Sequence, residues 1–454
     1  MAGELIHPPQ PQENGQREMS DANAPQGTWP KGFNRDTPFT WPLVRAGELV
    51  TLNYGKALLD KNRIAGSIPV FGTNGQCGWH NQSLSKGPGL ILGRKGMGNL
   101  GVKWCPSNFW VIDTAYFVTP KVENLHMKFL YYLIGYIGLN HLKDGTSNPS
   151  LSRDTFYAQL LPNPPGKHQQ AIACILGSLD DKIELNRRRN RTLEAMARAI
   201  FQSWFVDFDP VRAKAAGQVP AGLSKDTATL FPDSFEDSAL GPIPYGWKPT
   251  TLAGYCSKIT DGAHKSPPST NDGLPMASVK DMTDWGITVG TCRLIAKVDF
   301  ESLVANDCQP LQGDILLAKD GATCLETACE YRQNDRVVLL SSVAILRPRS
   351  LAEAPYLHLW LTSEETKSYL REGFVSGSAI PRVVLKDLKR AQVLRPNDAV
   401  LQKFSQIIEP QRAAIRANVQ NSTSLAAMRD ALLPKLISGE LRVPDAERIV
   451  GRAV

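Results

Sequence analysis

One pattern of side chains occurs twice in this chain, and it limits the fold more than any other feature. Between Pro165 and Val206, the residues Ile172, Leu176, Leu179, Ile183, Asn186, Asn190, Leu193, Ala197, Ile200 and Trp204 step by four and three. That spacing lays a single stripe along one long helix, in the manner of a coiled-coil seam. At 1.5 Å per residue, Ile172 to Trp204 would span roughly 50 Å. The second occurrence lies 232 residues further on and reads Phe404, Ile408, Ile415, Asn418, Leu425 and Leu432. A seam asparagine (Asn186) thus falls on a seam asparagine (Asn418). Buried amides of this kind fix the register of a helix pair at some cost in stability. Gly177-Ser178 falls on Glu409-Pro410, so an irregularity is expected at the same depth in both helices. Gln411, Ser422 and Arg429 stand opposite Leu179, Asn190 and Ala197, which predicts looser packing of the second helix.

The segments before each helix repeat as well. Ala46-Gly47 with Gly55 matches Ala253-Gly254 with Gly262, at an offset of 207. Leu90-Ile91-Leu92-Gly93-Arg94-Lys95-Gly96 matches Ile315-Leu316-Leu317-Ala318-Lys319-Asp320-Gly321, at an offset of 225. Gly145 to Pro149 matches Gly377 to Pro381 at 232, so the second copy carries about 25 extra residues in its β region. Short glycine-punctuated β runs at Ile68–Gly72, Gly89–Gly93 and Phe109–Ile112 precede an aromatic-rich helix near Met127 to Ile137. The prolines of 209–244 break any regular element, which predicts a linker folded over the surface.

The expected organisation is therefore an α+β chain with an internal duplication. A polar tail (1–37), poor in large apolar residues, reads as disordered. An α/β domain (38–164) leads into a central long helix (165–208) and the linker (209–244). A second α/β domain (245–396), a C-terminal long helix (397–441) and a short tail (442–454) complete it. A two-fold relation between the halves would set the helices antiparallel, as a coiled coil with pseudo-two-fold symmetry. A pair of similar modules on a helical spacer suits a long repetitive ligand such as duplex DNA, whose grooves recur about every 34 Å. A duplicated scaffold for two protein partners is the structural alternative.

The net charge of +7 permits a polyanionic partner without requiring one. Eight cysteines are scattered without a CxxC pair, so neither a zinc ribbon nor a redox motif is indicated. The longest apolar run, Phe129 to Leu139, is far short of the roughly 20 residues of a membrane span. A cytoplasmic location is expected.

Four features together resemble the specificity (S) subunit of type I restriction-modification systems. They are the passage from Gly145 to Pro162 into a helix opening His168-Gln169-Gln170, and the core Leu179-Asp180-Asp181-Lys182-Ile183 with Asn186 and Leu193 to Ala197. The run Ile200 to Val211 and the glycine-rich β segment of each module complete the set. The resemblance implies two target recognition domains, each reading one half of a split DNA site. It implies long helices that space them and dock two modification (methyltransferase) subunits, which the restriction (motor and nuclease) subunits join. The S subunit itself would be non-catalytic, with S-adenosylmethionine, ATP and Mg on its partners and no metal of its own.

Enzyme-like motifs fare poorly beside that reading. Asn163-Pro164-Pro165 resembles the Asn-Pro-Pro-aromatic motif of amino-methyltransferases, but Gly166 takes the aromatic position, so a stand-alone DNA adenine methyltransferase is a weak rival. Gly96 to Gly101 fits GxGxxG, yet β-like Val102 to Pro106 follows where a helix is needed, which favours a glycine-rich hairpin. Glu365-Thr366-Lys367 lacks the Pro-Asp partner of a nuclease. Candidate DNA contacts are Lys86, Arg94, Lys95 and Lys103 around the first glycine hairpin, and His264, Lys265, Lys319 and Arg382 near the matching loops.

Overall fold

The computed structural model describes residues 41–452 apart from Thr146, Asn148 and residues 378–380. The expected tail at 1–37 lies outside the described residues, as do parts of the two matched turn clusters. The chain divides into two compact units, one holding residues up to Lys182 together with Ser424 onward, the other Ile183–Thr423. Each unit contains one α/β module and a part of each long helix.

In the first unit, strands β1 (Val50–Tyr54), β2 (Ile68–Gly72), β3 (Gly75–His80), β4 (Gly89–Gly93), β5 (Val102–Cys105), β6 (Trp110–Val111) and β7 (Ala115–Pro120) form two sheets. The larger has the order β1-β7-β4-β5, and the smaller the order β3-β2-β6 with β2 and β6 parallel. In the second unit the strands are β8 (Cys256–Asp261), β9 (Leu274–Ala277), β10 (Arg293–Ile295), β11 (Ile315–Ala318), β12 (Ala328–Glu330), β13 (Val338–Leu339) and β14 (Val343–Pro348). Their orders are β8-β14-β11-β12 and β10-β9-β13, again with the last pair parallel. The two modules share one topology strand for strand.

The unbroken apolar runs of β4 and β11 follow from burial on both faces. Ile315 and Leu317 join the core that contains helix Ala354–Thr362 and the long helices, while Leu316 and Ala318 face the core beneath the smaller sheet. In the first unit, helix Met127–Ile137 buries Phe129, Leu130, Leu133 and Ile134, as its aromatic-rich sequence predicts. Most of the extra residues of the second copy sit in two places. Where Thr73-Asn74 alone joins β2 to β3, residues 278–292 join β9 to β10 and include the strand pair Met282–Thr283 with Gly286–Ile287. Where residues 81–88 join β3 to β4, residues 296–314 carry helix Lys297–Ala305.

The long helices are α1 (Gly166–Phe201) and α2 (Asp398–Ser438). Within the second unit, Asn186 meets Asn421, Asn190 meets Asn418, and Phe201 meets Phe404. One number rises as the other falls, so the pair is antiparallel. The first unit repeats this, with Asp180 on Arg429 and Ile172 beside Leu436. Ile172, Leu176, Leu179, Ile183, Asn186, Phe404, Ile408, Ile415, Leu425 and Leu432 are all buried, whereas Leu193, Ile200 and Asn418 are half-buried. The seam amides satisfy one another. Asn186 Nδ2 donates to Asn421 Oδ1 (2.9 Å) and Ser422 Oγ (3.2 Å), and Asn418 Nδ2 donates to Asn190 Oδ1 (2.8 Å). An unpaired amide here would cost about 1–3 kcal/mol, so this ladder penalises every shifted register.

Three expectations need correcting. Both helices run uninterrupted through Gly177-Ser178 and Glu409-Pro410. At Gly177 a Cβ would meet only the flexible end of Lys128, 2.9 Å away, and the helix continues through it. Pro410 removes one helical hydrogen bond, and the buried side chains of Phe404, Ile408 and Ile415 hold the helix across it. The irregular turn comes later, as a π turn at Gln202–Val206. Second, Ser422 and Arg429 of α2 have specific partners in place of looser packing, whereas the buried Gln411 Oε1 has none among the described residues. Arg429 Nη1 reaches Asp180 Oδ1 (2.7 Å), whose other oxygen accepts from Tyr132 Oη (2.6 Å). Third, residues 209–244 are more than a surface linker. They form helices Asp209–Ala215 and Lys225–Thr229 and a strand pair, and Val211, Phe231 and Trp247 pack with Trp204, Phe205 and Phe404 in the core of the second unit.

Candidate nucleic-acid interface

The glycine-rich stretch is a hairpin between antiparallel β4 and β5. Gly93 and Gly101 lie against Thr73 O, where any Cβ would come within 2.8 Å. Lys143 Nζ donates to Gly96 O (3.0 Å) and Gly98 O, so the loop is held from a distant point in sequence. Behind it the chain returns at 149–151. Gly96 N donates to Pro149 O (3.1 Å) and Leu151 N to Arg94 O (2.8 Å), while Arg94 N donates to Thr114 O (2.9 Å).

The second module makes the same three bonds at the matching residues. Gly321 N donates to Pro381 O (3.0 Å), Val383 N to Lys319 O (2.8 Å) and Lys319 N to Ser342 O (3.0 Å). Lys95 pairs with Ser150 and Asp320 with Arg382 as isolated bridges. Gly55 N and Gly262 N close the ends of β1 and β8 on Ala115 O and Val343 O, both at 3.2 Å. Tyr54, Arg94 and Lys95 therefore occupy the places of Asp261, Lys319 and Asp320. Backbone hydrogen bonds build one site twice, and the side chains on it differ.

In the first module the guanidinium carbon of Arg153 lies 3.9 Å from the centre of the Tyr54 ring and that of Arg94 lies 4.9 Å from it. Tyr54 is 49% exposed. A hydrogen bond with Tyr116, aided by the two arginine charges, lowers its hydroxyl pKa below the ordinary tyrosine value. In the second module Lys319 is 2% exposed. Its ammonium lies between Asp261 Oδ2 (3.4 Å) and Asp320 Oδ2 (3.3 Å). His264 Nε2 stands 3.2 Å from Asp261 Oδ1, and Arg382 Nε 3.2 Å from Asp320 Oδ1.

The structure thus brings Arg94 with Lys95, and His264 with Lys319 and Arg382, while Lys86, Lys103 and Lys265 stand outside these clusters, exposed. Lys319 is occupied by two carboxylates and positions them, rather than offering a free charge to a phosphate. Tyr54, Arg153, Asp261 and Asp320 were missed by motif reasoning. The 207 and 225 offsets already aligned three of these positions, whereas nothing in the sequence signalled Arg153.

The enzyme-like motifs take structural roles. Asn163 Oδ1 and Pro164 O both accept from Gln169 Nε2 (2.9 and 2.8 Å), and Gln169 Oε1 accepts from His126 N (2.8 Å). These residues tie the start of α1 to its module. His80 Nδ1 accepts from Ile64 N (3.1 Å), and all eight cysteines are free thiols. Among the described residues, no helix is long and apolar enough to cross a membrane.

A family profile described as the type I restriction modification DNA specificity domain matches residues 38–195. That span takes in the first module and most of α1. Over that span the chain is similar to the type I DNA specificity domain. The type I restriction enzyme MjaIX specificity subunit of Methanocaldococcus jannaschii is 27% identical over 341 residues, covering 72% of each chain. The HindI specificity subunit of Haemophilus influenzae is 25% identical over 383 residues, covering 73% of this chain and 81% of that one. A crystal structure of the type I system S subunit from M. genitalium aligns over 90% of this chain and 99% of that one, with 15% identity and a TM-score of 0.53, a likeness of fold. DNA specificity is the role that the matching profile and the names of these relatives describe.

Proposed function

We propose that the chain reads a bipartite DNA target, one half with each module, and directs modification and restriction subunits to it. The observation that carries this is the doubled site, with identical backbone bonding around Arg94 and Lys319 and different side chains. A duplicated frame with unlike reading groups suits two unlike half-sites. Residues 38–164 and 245–396 act as the recognition domains, and the helix pair spaces them. The outer faces of the pair, including the exposed Arg187, Arg188 and Arg189, dock two methyltransferase subunits, which the restriction subunits join in the cytoplasm. Those partners bind S-adenosylmethionine, ATP and Mg. Around the two sites, Lys86, Lys103 and Lys265 serve as phosphate contacts, which position the duplex without reading it.

The test is methylation sequencing of cells that carry the partner subunits, with and without this chain. The expected result is methylation at two short half-sites separated by an unspecified gap, present only with the chain. A continuous motif, or one that persists without the chain, would refute the proposal.

A further inference from the structure

The two copies of the loop site differ in hydrogen-bonding sense. The first holds Arg94, Lys95 and Arg153 around Tyr54, and among the described residues no carboxylate lies within ion-pairing distance of those three cations. The Nε atoms of Arg94 and Arg153 are out of solvent and make no hydrogen bond. Contact with the Tyr54 ring holds both guanidiniums at this loop, and Arg94 also reaches the Tyr54 and Tyr116 hydroxyls. Guanidinium donors without a carboxylate partner match an edge that offers only acceptors. In the major groove that edge is guanine O6 and N7.

The second copy holds two carboxylates at the equivalent positions. Lys319 lies behind Asp261 and Asp320, with its ammonium 3.4 and 3.3 Å from their carboxylate oxygens. Asp320 Oδ1 is closed off by Arg382, 3.2 Å away, and is open to a base only once that 56% exposed arginine turns aside. A carboxylate has about four lone-pair sites, so both aspartates retain capacity to accept. Their natural complement is an exocyclic amino group, N4 of cytosine or N6 of adenine.

We infer that the two modules read their half-sites with opposite chemistry at this position. Arg94 and Arg153 donate to a guanine in one half, and Asp261 and Asp320 accept from an amino-bearing base in the other. This rests on the bipartite reading above. It assigns Tyr54 as the positioning residue of the first site and Lys319 as that of the second.

The experiment uses the full chain assembled with its methyltransferase partner, a randomised duplex library and S-adenosylmethionine. R94Q and R153Q should relax one guanine position in one half-site, losing about 10- to 100-fold of discrimination, the value of one good base contact. D261N and D320N should relax one position in the other half by a similar factor. In each case the untouched half reports that the complex is assembled. Because a G·C pair carries both edges, a second arm uses the unaltered protein. Replacing guanine by 7-deazaguanine removes the N7 acceptor, and should weaken methylation when placed in the first module's half-site but not at the D320N-sensitive position.

Variants that leave the motif unchanged, arginine variants that relax an A·T position, or 7-deazaguanine acting equally in both halves would each overturn the inference. Should a variant abolish methylation altogether, the 7-deazaguanine arm still decides. A wild-type complex that yields no bipartite motif would instead refute the underlying reading, which separates the two failures.

Discussion

Replacing Arg412 by alanine is expected to destabilise the second unit by about 3 kcal/mol, the lower end for breaking a buried ion pair. Arg412 Nη1 meets Glu330 Oε2 at 2.5 Å, and Arg412 Nη2 donates to His358 Nδ1 at 3.1 Å. The side chains are 13% and 3% exposed, so removing the guanidinium strands a carboxylate that water cannot reach. Arg332 still covers Glu330 Oε1, which keeps the loss from being larger. His358 takes no part of the charge. Burial, with Arg412 alongside, pushes its pKa down to about 3, and its Nε2 faces Ala328 O at 3.1 Å. Urea denaturation of R412A measures the loss. The double variant E330Q/R412M, which removes both charges, should recover most of it, since an apolar replacement of a buried pair is often neutral. A loss below about 1 kcal/mol for R412A would contradict this account of the contact between β12 and α2.

The second large effect concerns spacing. Inserting one heptad into each of α1 and α2, between Asn186 and Leu193 and at the matching point of α2, should lengthen the gap between half-sites by about three base pairs. Seven residues add about 10 Å, and a base pair rises roughly 3.4 Å. A heptad also preserves the seam, so the buried stripe from Ile172 to Phe201 keeps facing its partner. Inserting it in one helix alone should instead break the Asn186–Asn421 and Asn190–Asn418 ladder. Methylation sequencing reads the gap directly, and an unchanged gap would refute the spacer role.

The helices were legible because a seam repeats many times along a chain, and its second copy aligned asparagine with asparagine. The shared topology of the modules was legible only as a growing offset. The inserted hairpin and helix Lys297–Ala305 leave the sheet orders intact, and sequence registers them only as length. Polar substitutions in α2 misled for a physical reason. Arg429 looks like lost apolarity until Asp180 and Tyr132 are seen beside it. Burial together with the hydrogen bond to Asp180 raises the pKa of Tyr132, which keeps its hydroxyl protonated as the donor. Residues 209–244 misled similarly, because prolines exclude regular elements but not burial of Val211 and Phe231. The reading groups themselves are single side chains brought together by distant strands and loops. Arg153 reaches Tyr54 across nearly a hundred residues, and no local pattern encodes that.

The most direct test of the central account exchanges one module. Residues 245–396 are replaced by the corresponding domain of a type I specificity subunit, and the complex with its methyltransferase partner is assayed by methylation sequencing. The account predicts a new sequence in one half-site, with the other half and the gap unchanged. A motif altered in both halves, or in neither, would contradict it.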